Sequence, residues 1–233
     1  MIYYSCIFLK TDYVHMLMIL YSSLLKNITL DDTYYVMADE ETIKHITDIP
    51  MLKQIKLIKM PTPKTVIEGM SWRYQLHRHI DILSKCVCYM DVDMICIRPF
   101  NFNFQESTDE LLIYPEGQND DRNYSSTGGT LAIPYGATSG FFAAKYGPNV
   151  LQFMEEVHYT IRRASVKHYT LDQIHFNTII EKRFKEQFIK YMPSTILSFN
   201  GHNNKDTAVF INCCGDPGNG KFHLSKMLEF ILG

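Results

Sequence analysis

The stretch Cys86-Val87-Cys88-Tyr89-Met90-Asp91-Val92-Asp93-Met94-Ile95-Cys96-Ile97-Arg98-Pro99 decides how this sequence folds. Residues 86–90 are wholly apolar and of strand length, the pattern of a strand buried on both faces in a parallel sheet. Two carboxylates close that run, and 94–97 form a second one. Strand ends in α/β sheets open into the ligand crevice. Residues i and i+2 of an extended chain point the same way, so Asp91 and Asp93 can face one cation. Carboxylates at a buried strand end are costly unless a cation or donors meet them. Two hard oxygen ligands suit Mg²⁺ or Mn²⁺ carrying phosphate oxygens. A solvated turn after the strand is the other reading of the same residues.

Working outward, 1–9, 33–37 and 54–60 read as strands. Helices are expected at 13–26, with Leu17, Leu20 and Leu24 on one face, after Asp39, and at 70–85. Strands alternating with helices give an α/β fold with a mixed, mostly parallel sheet flanked by helices. Beyond the acidic pair, 115–130 is almost entirely polar and carries Gly117, Gly128 and Gly129. It is expected to be a long mobile loop that shapes or closes a site. A strand at 137–145 is expected to break at Gly140. Helices are expected at 148–163, 171–184 and 222–232, with a strand at 207–212 and a glycine-rich turn before the last helix. No repeat or linker interrupts the chain, so one domain spanning 1–233 is expected.

The chain has 233 residues, of which 46% are hydrophobic and 21% charged, which excludes a disordered protein. Its net charge of −2 argues against a dedicated nucleic-acid binder. Six cysteines, Cys6, Cys86, Cys88, Cys96, Cys213 and Cys214, show no metal-type pairing and sit mostly in apolar runs. They read as reduced core residues of a cytoplasmic protein. The apolar stretch 13–25 falls short of a bilayer span, and no secretory leader is recognisable, so no membrane insertion is expected.

The hydrophobic strand ending in Asp-x-Asp, followed by a short apolar run and Arg98-Pro99, resembles the GT-A glycosyltransferases. So does Phe8-Leu9-Lys10-Thr11-Asp12-Tyr13 before a helix carrying Ser22-Ser23-Leu24-Leu25, which is similar to the nucleotide-binding start of the glycogenin-like families. Met70-Ser71-Trp72-Arg73-Tyr74 resembles their donor-binding helix, and Tyr169-Thr170-Leu171-Asp172-Gln173 with Asn177 resembles their Asp-Gln helix start. The resemblance runs along the whole chain and looks most like the GT-A domains encoded by chlorella viruses.

It implies a Rossmann-like GT-A domain, with 1–100 binding the nucleotide sugar and 101–233 carrying acceptor and catalytic functions. The implied enzyme is a retaining, Mn²⁺-dependent (or Mg²⁺-dependent) hexosyltransferase acting from a UDP-sugar onto an oligosaccharide or glycoprotein glycan. By resemblance, Tyr13 covers the base, while Leu9 and Thr11 hold its edge. Asp91 and Asp93 carry the metal, with Asp91 also near the ribose. Arg73 lies by the donor phosphate, Asp172 binds sugar hydroxyls, and Gln173 lies near the anomeric carbon. Asp172 as a simple helix cap and Tyr13 as a core aromatic are the plainer readings. The family places acids where this chain has Lys10 and Thr11. Its third metal ligand, a histidine, matches Asn212 here, with His223 and His202 as nearby candidates. Gly218 and Lys221 are the implied diphosphate cradle.

Gly215-Asp216-Pro217-Gly218-Asn219-Gly220-Lys221 satisfies GxxxxGK, but Phe222 replaces the metal-binding hydroxyl and too little chain follows for a nucleotide domain. Gly136-Ala137-Thr138-Ser139-Gly140 is not a nucleophile elbow. The main rival is a phosphohydrolase of the haloacid dehalogenase type, with Asp91 and Asp93 as nucleophile and acid/base. A non-catalytic sugar-binding module is the other.

Overall fold

The run 86–90 forms a strand with four of its five residues buried. It is the fourth strand in a computed structural model that describes residues 1–8, 11–104, 109–116, 129–164, 171–201, 206–214 and 220–232, with side chains from 223 onward in the last stretch. In chain order the elements are β1 (Ile2–Ile7), α1 (Asp12–Leu25), β2 (Thr33–Ala38), α2 (Glu40–Thr47), β3 (Lys56–Lys59), α3 (Val66–Met70), β4 (Cys86–Met90) and β5 (Met94–Cys96). Then come β6 (Glu110–Glu116), β7 (Gly136–Lys145), α4 (Pro148–Arg163), α5 (Leu171–Arg183), β8 (Ile189–Tyr191), β9 (Leu197–Phe199), β10 (Phe210–Asn212) and α6 (Gly220–Leu232). The larger sheet has the order β3-β2-β1-β4-β7-β6-β8, and a smaller one the order β5-β10-β9. β2 and β3 pair in parallel, as do β6 and β8, while β6 and β7 are antiparallel. The architecture is the expected mixed α/β sheet flanked by helices.

The chain divides into two compact units built from interleaved segments. One comprises Tyr3–Thr62, Met90–Phe102 and Pro193–Gly233; the other Met1–Ile2, Pro63–Tyr89 and Asn103–Met192. In the first, α1 buries Val14, Met16, Leu17, Leu20 and Leu24, the spacing of a one-sided apolar stripe. Asp39 caps α2 by accepting from the Thr42 backbone N–H at 2.8 Å. The Ser5 hydroxyl donates to the Met90 carbonyl and lies 2.6 Å from the Tyr34 hydroxyl. That pins the end of β4 where the acidic pair begins.

The second unit packs around aromatic rings. Tyr74, Tyr89, Phe142, Phe153 and Phe176 make successive contacts of 5.2–6.0 Å between centroids. Arg78 and His77 both bond the Glu155 carboxylate of α4. The Arg78 hydrogen bonds hold that carboxyl down to about 2, with His77 adding to them. A depressed carboxyl contributes stability above its unfolded value and loses it as pH falls through the folded one. The Tm gap between wild type and Glu155→Gln is therefore expected to be widest near neutrality and to close between pH 4.5 and about 2. A gap independent of pH would dissociate Glu155 from this ion pair.

Several expected elements differ. Residues 70–85 are not a helix: α3 ends at Met70 and two 3-10 turns follow, Ser71–Tyr74 and Leu76–Arg78. β7 runs unbroken through Gly140. Pro115 and Glu116 belong to β6, while 117–128, the body of the expected loop, lie outside the described residues. All six cysteines are free thiols. Burial pushes Cys96 and Cys213 up to about 12, which leaves them protonated and inert at neutral pH. Among the described residues no helix is long and apolar enough to cross a membrane.

Candidate active site

Each unit gathers part of the predicted set. In the unit containing β1 and α1, Asp91 and Asp93 leave β4 and lead into β5. The Asp93 carbonyl accepts from the Cys213 N–H at 2.8 Å, which ties the acidic turn to the end of β10. The Asp93 Oδ2 lies 2.9 Å from His223 Nδ1 on α6. Asp93 Oδ1 is buried with no hydrogen-bond partner, and so is the Oδ1 of Asn212, the last residue of β10. Native proteins rarely leave such oxygens unsatisfied. Asn200, in the left-handed region at φ 52°, donates its N–H to the Asn212 carbonyl at 2.8 Å and holds a third buried, unpartnered Oδ1. Tyr13, the second residue of α1, is half-buried near this group. Burial raises its hydroxyl to about 12, with the Asp93 and Asp91 charges adding.

These oxygens fit a hard divalent cation, whose preferred ligands are carboxylate and amide oxygens. Among the described residues, no group of three or more histidine, cysteine, aspartate and glutamate side chains could hold a metal. Any site here therefore draws on the Asn212 amide as well as the carboxylates. His223 spends its Nδ1 on Asp93 Oδ2, which orients Asp93 in the manner of a residue behind a ligand. Thr11 is exposed and its carbonyl accepts from the Val14 N–H at the start of α1. Leu9, His202 and Gly218 lie outside the described residues, as does the side chain of Lys221.

In the other unit, Arg73 sits on the 3-10 turn Ser71–Tyr74, fixed by the buried flanks Trp72 and Tyr74. Its Nη1 donates to the Ser139 carbonyl at 3.0 Å and pairs with Asp172 Oδ2 at 3.2 Å. Its guanidinium carbon lies 4.9 Å from the Tyr89 ring centroid. The Ser139 hydroxyl donates to the same Asp172 oxygen at 2.9 Å. Asp172 lies in the first turn of α5, its carboxylate turned to Ser139 and Arg73, so it is more than a helix cap. Gln173 Oε1 accepts from the Ser139 N–H at 3.3 Å, and its Nε2 donates to Glu116 Oε2 at 2.5 Å. Asn177 grips both the N–H and the carbonyl of Ala137, holding α5 onto β7.

A register shift explains why these groups converge on Ser139. Ile113 of β6 faces Phe142, but Pro115 faces Ala137, so Thr138 to Phe141 stand opposite Tyr114. Such bulges re-aim a strand and recur beside functional sites. Pro115 has no N–H to lose there. Ser139 enters the sequence reading only as a serine outside a nucleophile elbow, and Glu116 only as part of the polar stretch 115–130. The run of small residues 136–140 flanked by glycines was the available signal for a close approach at Ser139, whereas Glu116 carried none.

No protein-family model matches this sequence, and no curated protein matches it. Among solved structures, the galactosyltransferase LgtC in complex with donor and acceptor sugar analogues matches with a TM-score of 0.66 and 11% identity, over 98% of this chain and 96% of its own. An LgtC active-site mutant with glutamate in place of glutamine matches with a TM-score of 0.65 and 11% identity, over 99% of this chain and 96% of its own. At this identity the likeness is one of fold: the chain has the GT-A fold. The phosphohydrolase expectation finds no support in it, since the acidic pair ends the fourth strand of a GT-A sheet.

Proposed function

We propose that this GT-A chain is a glycosyltransferase of the glycogenin-like group, moving a hexose from a UDP-sugar to a glycan with retention of configuration. The observation that supports it best is the set of buried, unsatisfied oxygens on Asp93 and Asn212 beside Asp91, in a chain with the fold of LgtC. Asp91, Asp93 and Asn212 would hold Mn²⁺ or Mg²⁺, which supplies charge stabilisation to the departing diphosphate when bound.

The chain's own residues do the rest. The Tyr13 ring, with Leu9 and Thr11, binds the base, and Gly218 and Lys221 cradle the diphosphate. Asp172 commits Oδ2 to Ser139 and Arg73, and its Oδ1 is assigned to sugar hydroxyls. Arg73, immobilised before the donor arrives, presents a fixed positive field to the leaving group. Gln173 is a poor nucleophile, so a front-face route is favoured. The anomeric carbon–phosphate bond breaks while the acceptor oxygen bonds from the same side, and the acceptor's proton passes to the leaving phosphate oxygen.

Thermal melting tests the donor class. UDP with Mn²⁺ or Mg²⁺ at 100 times its Kd adds about 2.7 kcal/mol of stability. For a domain of this size that shifts Tm by roughly 5–10 °C, and UDP without metal should do far less. No UDP effect with either metal would sink the reading. Where transfer occurs, NMR of the first-formed product from an α-linked donor should show an α linkage, and a β product would overturn retention.

A further inference from the structure

The geometry points to Glu116 as a positioning residue for transfer, a fixed charge that orients and polarises the Gln173 amide. The inference rests on the glycosyltransferase reading above. Glu116, Gln173 and Ser139 are all buried, with 7%, 6% and 4% of their surface exposed. A backbone N–H only donates and a carboxylate oxygen only accepts. With Ser139 N–H on one side and Glu116 Oε2 on the other, the Gln173 amide has one admissible orientation: Oε1 toward Ser139 and Nε2 toward Glu116.

The two bonds are unequal. The contact with the carboxylate is 2.5 Å and charge-assisted, whereas the one from Ser139 is 3.3 Å. A carboxylate pulling on Nε2–H pushes electron density across the amide to Oε1, the polarisation that links hydrogen bonds in a chain. The long Ser139 bond draws off little of it. Gln173 therefore offers an amide oxygen more negative than that of an isolated glutamine. Glu116 also makes itself felt at Tyr114, whose hydroxyl is raised by burial first and by the Glu116 charge second.

In glycosyl transfer the sugar ring develops positive charge as the leaving group departs. An amide oxygen backed by a carboxylate stabilises that charge without bonding to the sugar. A glutamine at this point thus supplies part of what a charged nucleophile would, while the charge itself stays one residue back. The register shift lies between the two strands that carry Glu116 and Ser139, the partners at the two ends of the amide.

Glu116→Gln is the test, since it retains size and an acceptor oxygen but removes the charge. Transfer kcat is expected to fall roughly tenfold to a hundredfold, as for removing a group that orients a ligand from behind. The donor KM and the UDP-dependent rise in Tm should stay at wild-type values. In a Gln173→Ala background, Glu116→Gln should have little further effect, since the charge acts through the amide. Glu116→Asp, which retains the charge one methylene away, should keep more kcat than Glu116→Gln, and serves alone against Glu116→Ala if the glutamine variant does not fold. Wild-type kcat in Glu116→Gln, an undiminished effect without the Gln173 amide, or Glu116→Asp no better than its uncharged counterpart would each overturn the inference. If the wild type neither transfers nor responds to UDP, the glycosyltransferase reading itself fails and takes this one with it. Wild-type transfer with an indifferent Glu116 fails this inference alone.

Discussion

Asp93→Asn is expected to lower transfer by about a hundredfold to a thousandfold, the loss seen when one preorganised electrostatic contact is removed. The folded chain should survive the change. Asn has the shape of Asp, and its side chain can fill the same space between the buried Oδ1 position and His223 Nδ1. The backbone bond from Cys213 to the Asp93 carbonyl is untouched. Tm without ligand should change little, while the metal-dependent UDP shift disappears. Binding lost with stability kept separates a ligand-holding carboxylate from a structural one. Near-normal turnover would remove Asp93 from the metal site.

Asp172→Asn should cost stability as well as turnover. Asp172 and Arg73 form a buried pair, with side chains 5% and 8% exposed. Breaking such a buried pair by removing one charge costs about 3–5 kcal/mol. At roughly 2–4 °C per kcal/mol for a domain of this size, Tm should drop on the order of 10 °C. Below the transition, turnover should be strongly reduced, while UDP with Mn²⁺ still raises Tm, because the nucleotide contacts are assigned to other residues. Alanine would confound the two effects by also opening a cavity. An unchanged Tm would mean that Arg73 is held by something other than this pair.

The acidic pair was legible because an apolar run of strand length cannot end in two carboxylates without a reason. Arg73 stands out in the sequence, yet it lies on a 3-10 turn and not on the helix expected at 70–85. Ser71, Trp72, Arg73 and Tyr74 are all buried, so no exposed face breaks the run into helical periodicity, and a buried 3-10 turn looks like the start of a helix. β8 and β9 have three residues each, too few for any period to register. β6 was hidden by Pro115, which argues against a strand anywhere except at an irregularity such as the one it occupies. The Glu116–Gln173 bond joins residues 57 apart and Arg73–Ser139 residues 66 apart. Side-chain partnerships at that separation are set by packing, and local sequence carries no trace of them.

The interleaving of the two units bears on how the chain acquires its structure. The unit containing the acidic pair is assembled from Tyr3–Thr62, Met90–Phe102 and Pro193–Gly233, and the bond from His223 to Asp93 spans 130 residues. Loop closure grows only slowly with length, so such contacts are affordable at equilibrium. Kinetically they come late, because non-local pairing must be formed before it is rewarded. During synthesis, β1, β2 and β4 leave the ribosome long before β10 and α6. For that interval Asp91 and Asp93 have neither Asn212 nor His223 beside them. The acidic pair therefore waits for residues 212–223 before its surroundings are complete. Conditions that slow translation between 93 and 223 prolong the aggregation-exposed state rather than protect against it.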